Sequence, residues 1–291
     1  MYTTAMAEVI ELISAEASPL QNFLAGLGTE EWSRPSACAG WTVGDVVAHL
    51  TQGARTWSAA ITRARAGDCN PPPGQPPLRP GERGSAATAQ RAIDFRQGMG
   101  EAALLQAFVS DYQRLHQVLL DMQSEDWYKP CFHRRGVLPI RDYVGLRLQE
   151  LAIHGWDMRT AFDNTAALSE RPLPVLVGLA QRWLSNTFHP APHLAAPVRY
   201  RFDVSGPAPI RQDMLVSQGS FHLVPVADIG ADVTFRCNTG DYILLVYGRL
   251  PLDQALDTGR LEIEGNREQA FLFHTLFQGP NFSGRARQVM L

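Results

Sequence analysis

Over the first 165 residues apolar positions recur at helical spacing, whereas after residue 170 they tend to alternate. Residues 5–27 carry Ile10, Ile13, Leu20, Phe23 and Leu24 and predict a first helix, with Pro19 expected to kink or split it. A second helix is predicted from Thr42, where Thr42 and Asp45 form a capping box with Asp in place of Glu. Its stripe runs Val43, Val46, Val47, Leu50, Ala54, Trp57, Ile61. Helical periodicity resumes from about 87 to 123, broken near Gly98 and Gly100, with Leu104, Leu105, Phe108, Tyr112, Leu115, Leu119 and Met122 on its best face. A fourth helix is predicted from Pro139, a favoured first-turn proline, to about Phe162. Val144, Leu148, Leu151, Met158 and Phe162 make one stripe, and Tyr143, Leu146, Glu150, Ile153, His154 and Asp157 lie beside it. A helix apolar over so wide an arc packs on more than one side. Four helices with a polar knot facing inward predict a bundle with a site in its core.

Pro71, Pro72, Pro73, Pro76, Pro77 and Pro80 leave no regular element between 67 and 85, which predicts a long surface loop. Its length suits either a lid or an unstructured excursion, and the sequence leaves both open. Beyond 170, a helix at about 173–187 precedes segments that read as strands: Val198–Val204, Met214–Ser217, Phe221–Val226 and Asp232–Cys237. Asp241–Tyr247 reads as helix, Arg260–Glu264 as strand and Glu268–Phe277 as a closing helix. The fold class is α+β: a helical bundle over 1–168 and a smaller α+β domain with a mostly antiparallel sheet over 169–291. The boundary lies where Ser169-Glu-Arg-Pro172 breaks the pattern.

Composition changes this picture little. Hydrophobic residues at 45% and charged residues at 19% are ordinary for a globular chain. A net charge of −3 gives no reason to expect a nucleic-acid partner. No basic segment precedes the first apolar run and no stretch is long enough for a membrane span, so the protein is placed in the cytoplasm with no membrane partner. Cys38, Cys69, Cys131 and Cys237 lack paired spacing and read as free thiols.

The chemistry concentrates in two segments, Trp41-Thr-Val-Gly-Asp-Val-Val-Ala-His49-Leu50 and Gln149-Glu150-Leu-Ala-Ile-His154-Gly-Trp-Asp157. Glu150 and His154 are four apart, so they share a helix face. With His49 they supply two nitrogens and a carboxylate, a ligand set of catalytic zinc sites that keep one position open. A Glu150–His154 ion pair without metal satisfies the same residues, and spacing alone does not choose. Asp157 extends the face, either as an acceptor that fixes a histidine tautomer or as a surface acid paired with Arg159 or Arg147. Asp45 is assigned to the helix cap, and Trp41 and Trp156 to packing.

These two motifs together resemble the DinB-like superfamily and, more closely, the mycothiol-dependent maleylpyruvate isomerase family. Asp232-Val-Thr-Phe, Gly240-Asp-Tyr-Ile-Leu-Leu-Val-Tyr-Gly-Arg249-Leu and Gly259-Arg-Leu-Glu-Ile-Glu-Gly265 are similar to the sterol-carrier-type domain fused in such proteins. The resemblance implies a DinB-like four-helix bundle holding a divalent metal, usually zinc, through His49, Glu150 and His154. It implies mycothiol as the thiol cosubstrate, which suits an arginine-rich, actinobacterial-looking composition with Lys129 as the single lysine. It also implies a catalytic arginine from the second domain, for which Arg249 is the best positional match, a surface arginine being the alternative. The proline-rich stretch departs from the family pattern.

Such a site activates a small thiol, because a coordinating thiol loses its proton near neutral pH and the thiolate is the nucleophile. The thiolate can add to a conjugated cis double bond, allow rotation and leave again, or it can displace a leaving group and stay attached. The expected partners are therefore that thiol and a small electrophilic substrate. Two other readings stay open: a metal-dependent hydrolase that activates water, with Asp157 as general base, and a carrier of apolar ligands.

Overall fold

The computed structural model describes residues 2–73, 75–78, 85–191 and 194–277. The chain divides into two compact units that part between Ala166 and Ala167.

The first unit is built on four long helices: α1 (Tyr2–Ala25), α2 (Val43–Arg65), α4 (Glu101–Leu120) and α5 (Ile140–Arg159), with the shorter α3 (Ser85–Arg96) against α2. α2 packs on α4 and α5, and α1 packs on α4 and α5 from the other side. Leu20, Leu24, Val46, Val47, Leu50, Ile61, Leu104, Phe108, Leu115, Val144, Leu148, Leu151 and Met158 are buried and form the core. α2 starts where its cap dictates. The Thr42 hydroxyl accepts from the Asp45 amide at 3.2 Å, and Asp45 accepts the Thr42 amide at 3.0 Å. Arg96 of α3 donates to both side chains, at 2.9 Å each, and ties α3 to the start of α2.

The structure departs from the periodicity at several places. Pro19 neither splits nor ends α1, which runs through it. Buried Val9, Leu12 and Ile13 before it and Leu20 and Leu24 after it hold both halves to the bundle, so tertiary packing outweighs the lost backbone bond. A hairpin of β1 (Pro130–His133) and β2 (Gly136–Pro139) precedes α5 and was not anticipated. Its four-residue strands are too short to show alternation; Arg134 and Arg135 make the turn, and Gly136 at φ 127° opens β2. α5 stops at Arg159 rather than near Phe162. The expected loop forms no helix or strand over 66–73 and 75–78, and Leu78 donates to the Arg134 carbonyl at 2.7 Å. Residues 74 and 79–84, where the rest of the suggested lid falls, lie outside the described residues.

In the second unit, α6 (Leu173–Thr187) is followed by β3 (Val198–Ser205), β4 (Ile210–Val216), β5 (Phe221–Val224), β6 (Val233–Asn238), α7 (Thr239–Val246), α8 (Leu252–Asp257), β7 (Leu261–Gly265) and α9 (Arg267–Leu276). The sheet order is β5-β4-β3-β6-β7, with only β3 and β6 parallel. β3 alternates cleanly: Val198, Tyr200, Phe202 and Val204 are buried beside Phe235 and Phe273. On its other face Arg199 and Arg201 grip Asp213 of β4 at 3.0 and 2.8 Å, which is how a carboxylate survives there fully buried. β4 begins earlier than expected because polar Arg211, Gln212 and Asp213 pair with β3, and α8 is too short for sequence periodicity to reveal. No helix among the described residues is long and apolar enough to cross a membrane.

Candidate metal centre

Residues from two helices meet in the first unit. His49 projects from α2, and Glu150 and His154 project one turn apart from α5. His49 Nε2 lies 2.7 Å from Glu150 Oε2, and His154 Nε2 lies 3.6 Å from the same oxygen. The ring centroids of the two histidines are 5.0 Å apart. One ligand atom from each of the three residues falls within 4.8 Å of the others. The carboxylate is the most open member, with 29% of its side chain exposed against 13% for His49, so solvent reaches the centre on the Glu150 side.

Asp157, three residues beyond His154, is completely buried, and its Oδ2 lies 2.9 Å from His154 Nδ1. With Nδ1–H donating to that carboxylate, Nε2 is left facing Glu150. This is the carboxylate–histidine arrangement that fixes tautomer and ring orientation in metal sites. Arg147 does not pair with Asp157; its Nη2 turns toward Glu150 Oε2 at 4.0 Å.

The loop before α2 closes one side. Ala37 donates to the Asp157 carbonyl at 2.9 Å, and Gly40 at φ 83° lets the chain turn back so that Ser36 donates to the Trp41 carbonyl. Trp41 then sits edge-on to His49 at 5.1 Å and stacks on His154 at 6.2 Å. The same loop sets buried Cys38 against the centre, its Sγ within 4.8 Å of ligand atoms of His154 and Asp157. Sequence spacing kept Cys38 apart from the ligand motifs. Only the turn at Gly40 brings it in, and no sequence periodicity signals that.

The electrostatics follow from burial set against partners. Burial lowers the His49 pKa, and the hydrogen bond and charge of Glu150 only partly oppose this. Burial also penalises charge on His154, yet Asp157, Cys38 and Glu150 outweigh it and raise its pKa to about 10. Glu150 is held well below the carboxylate range, burial being overcome by His49, His154 and Arg147. The donor set fits a divalent ion of the zinc type: a committed carboxylate, a neutral imidazole and an imidazole whose outer nitrogen is already anchored. His49 Nδ1, in contrast, is buried with no hydrogen-bond partner among the described residues, so only one of the two imidazoles has an outer acid.

Arg249 belongs to the second unit, after α7, where its Nη1 donates to the Tyr247 carbonyl at 3.3 Å and its side chain is half-buried. Asp45 serves the α2 cap as expected.

The mycothiol maleylpyruvate isomerase N-terminal domain model matches residues 13–159, and the SCP-2 sterol transfer family model matches residues 195–278. The chain belongs to the mycothiol maleylpyruvate isomerase family, with an SCP2-type C-terminal domain. Among solved structures it is similar to mycothiol-dependent maleylpyruvate isomerase, at 17% identity and TM-score 0.61 over 84% of this chain and 90% of that one. A histidine-to-alanine mutant of that enzyme aligns at 16% identity and TM-score 0.62 over 89% and 92% of the two chains. At such identities the likeness establishes the fold. No curated protein sequence matches the chain.

Proposed function

We propose that this protein is a metal-dependent enzyme that activates a low-molecular-weight thiol, mycothiol, for S-transfer to a small electrophile or for its thiol-assisted cis–trans isomerisation. The observation that carries the reading is the convergence of His49 Nε2, Glu150 Oε2 and His154 Nε2, with His154 anchored from behind by Asp157. Family membership supplies the thiol. A divalent ion held there contributes Lewis acidity, which favours the thiolate form of a bound thiol near neutral pH.

The chain's own residues do the rest. Asp157 anchors His154 Nδ1, so its Nε2 faces inward, where an ion would displace the proton that the raised pKa keeps on the ring. His49, kept neutral by burial, offers a second nitrogen. Trp41 covers both rings on one side and excludes water there. Two of the protein's own thiols are poor nucleophiles, because burial raises Cys131 and Cys237 to about 12 and keeps them protonated. Family membership, rather than the state of these two cysteines, is what supports an external thiol as the nucleophile. Arg249 is proposed as a catalytic residue on its place in Tyr247-Gly-Arg249-Leu250.

The test joins metal analysis of wild type and His154→Ala to an assay for thiol-adduct formation with and without mycothiol. Wild type is expected to bind close to one equivalent of zinc and to require the thiol, and His154→Ala to lose both properties. Wild type that binds no zinc in chelator-free buffer refutes the metal centre. Turnover without thiol replaces this reading with the hydrolase.

A further inference from the structure

His154 has donors on both sides of its ring. Nε2 faces Glu150, in the centre described above, and Nδ1 faces Asp157. Behind that centre, ligand atoms of Cys38, His154 and Asp157 all fall within 4.8 Å of one another. This second group is closed to solvent: Asp157 is 0% exposed, Cys38 1% and His154 6%.

Two elements hold the three residues in place. His154 and Asp157 are three apart on α5, so a single helix turn sets their separation. Cys38 comes from the loop before α2, and that loop is fastened to α5 beside the thiol, where the Ala37 amide donates to the Asp157 carbonyl at 2.9 Å. Within the loop the Cys38 amide donates to Ser36 Oγ at 3.2 Å, and the Trp41 amide donates to the Cys38 carbonyl at 3.0 Å. The main chain is thus pinned on both sides of the sulfur.

The donor types suit an ion. Cys38 and Asp157 both hydrogen-bond the His154 ring, so two groups able to carry negative charge meet one imidazole where no solvent reaches. A divalent cation neutralises a thiolate and a carboxylate together, which removes the main cost of burying them. Soft sulfur, imidazole nitrogen and carboxylate oxygen match a borderline ion such as zinc or cobalt(II), with bonds of about 2.0–2.3 Å.

We propose that Cys38, His154 Nδ1 and Asp157 form a second metal seat, enclosed and back to back with the His49–Glu150–His154 centre, the His154 ring being the wall between them. The seat does not require the front centre to hold an ion. Filling it releases the Nδ1 and thiol protons to solvent and widens the 2.9 Å Nδ1–Oδ2 contact, so it is the weaker of the two. Stoichiometric zinc therefore occupies the front, and excess reaches the rear.

The experiment titrates cobalt(II) into the full-length, metal-free protein and follows the thiolate-to-cobalt charge-transfer band in the near ultraviolet. In wild type the first equivalent is expected to bind without the band and the second to bring it. Cys38→Ser is expected to lose the band and the second equivalent but keep the first, and His49→Ala to keep the band. X-ray absorption of wild type in excess zinc needs no variant and is expected to show a zinc–sulfur distance of about 2.3 Å. Absence of the band and of that distance at every loading overturns the proposal. A band that survives Cys38→Ser does so too, because another thiol then holds the ion. One equivalent bound without the band refutes the rear seat and leaves the front centre standing. One equivalent bound with the band, unchanged in His49→Ala, upholds the rear seat and refutes the front centre.

Discussion

Replacing Asp157 separates a metal centre from a metal-free ion pair. The side chain is completely buried, and its Oδ2 lies 2.9 Å from His154 Nδ1. Asparagine keeps the volume and an acceptor for Nδ1–H but removes the charge that makes the imidazole a strong ligand. Its main-chain carbonyl still accepts from Ala37, so the loop carrying Cys38 stays in place. Loss of an outer carboxylate lowers metal affinity about 10–100-fold, or roughly 1.4–2.8 kcal/mol. Because Asp157→Asn retains the hydrogen bond, it should fall near 10-fold, and Asp157→Ala, which abandons the nitrogen and opens a void, near 100-fold. Zinc affinity measured by competition with a chromogenic chelator at pH 7 decides the matter. If both variants bind zinc as tightly as wild type, Asp157 does not position a ligand and the reading of His154 is wrong.

Other outcomes follow from the fold. Thr42→Ala removes the α2 cap together with an Arg96 contact and should cost about 1–2 kcal/mol, seen in calorimetry as a fall of roughly 2–8 °C in the bundle's melting temperature. Asp213→Asn leaves Arg199 and Arg201 facing each other inside the sheet and should cost about 3 kcal/mol at neutral pH by urea unfolding. Burial alone would raise the Asp213 pKa, but Arg201, the Ala227 amide and Arg199 prevail and lower it. Its contribution is therefore complete above an unfolded-state pKa of about 3.9 and disappears as pH falls through the lower folded value, so the variant's acid limb should be flatter. Cys131 and Cys237, raised to about 12, should resist iodoacetamide at pH 8 in the native protein and react on denaturation, as mass spectrometry would show.

The fold was legible where local and tertiary preferences agree. The Thr42–Asp45 box placed the start of α2 to the residue, and the alternation of Val198, Tyr200, Phe202 and Val204 announced the central strand. Tertiary packing overrides local chemistry at Pro19, and the hairpin and α8 escaped the pattern although β5 and β7, comparably short, were read from it. In the centre, the i,i+4 pair Glu150 and His154 could be read from one helix, and His49 came from a separate motif. Cys38 could not be read in this way, because it enters through a loop turned at Gly40.

A single rod, α5, carries Arg147, Glu150, His154 and Asp157, and its hydrogen-bonded backbone sets their spacings along the axis. Only His49 comes from another helix. The centre therefore has one adjustable dimension, the separation of α2 from α5, and that separation is set by apolar side chains such as Leu50 and Leu151, buried in the bundle core. If the proposed centre holds an ion, changing methyl groups in this core would alter the spacing of its ligands while leaving every polar residue untouched.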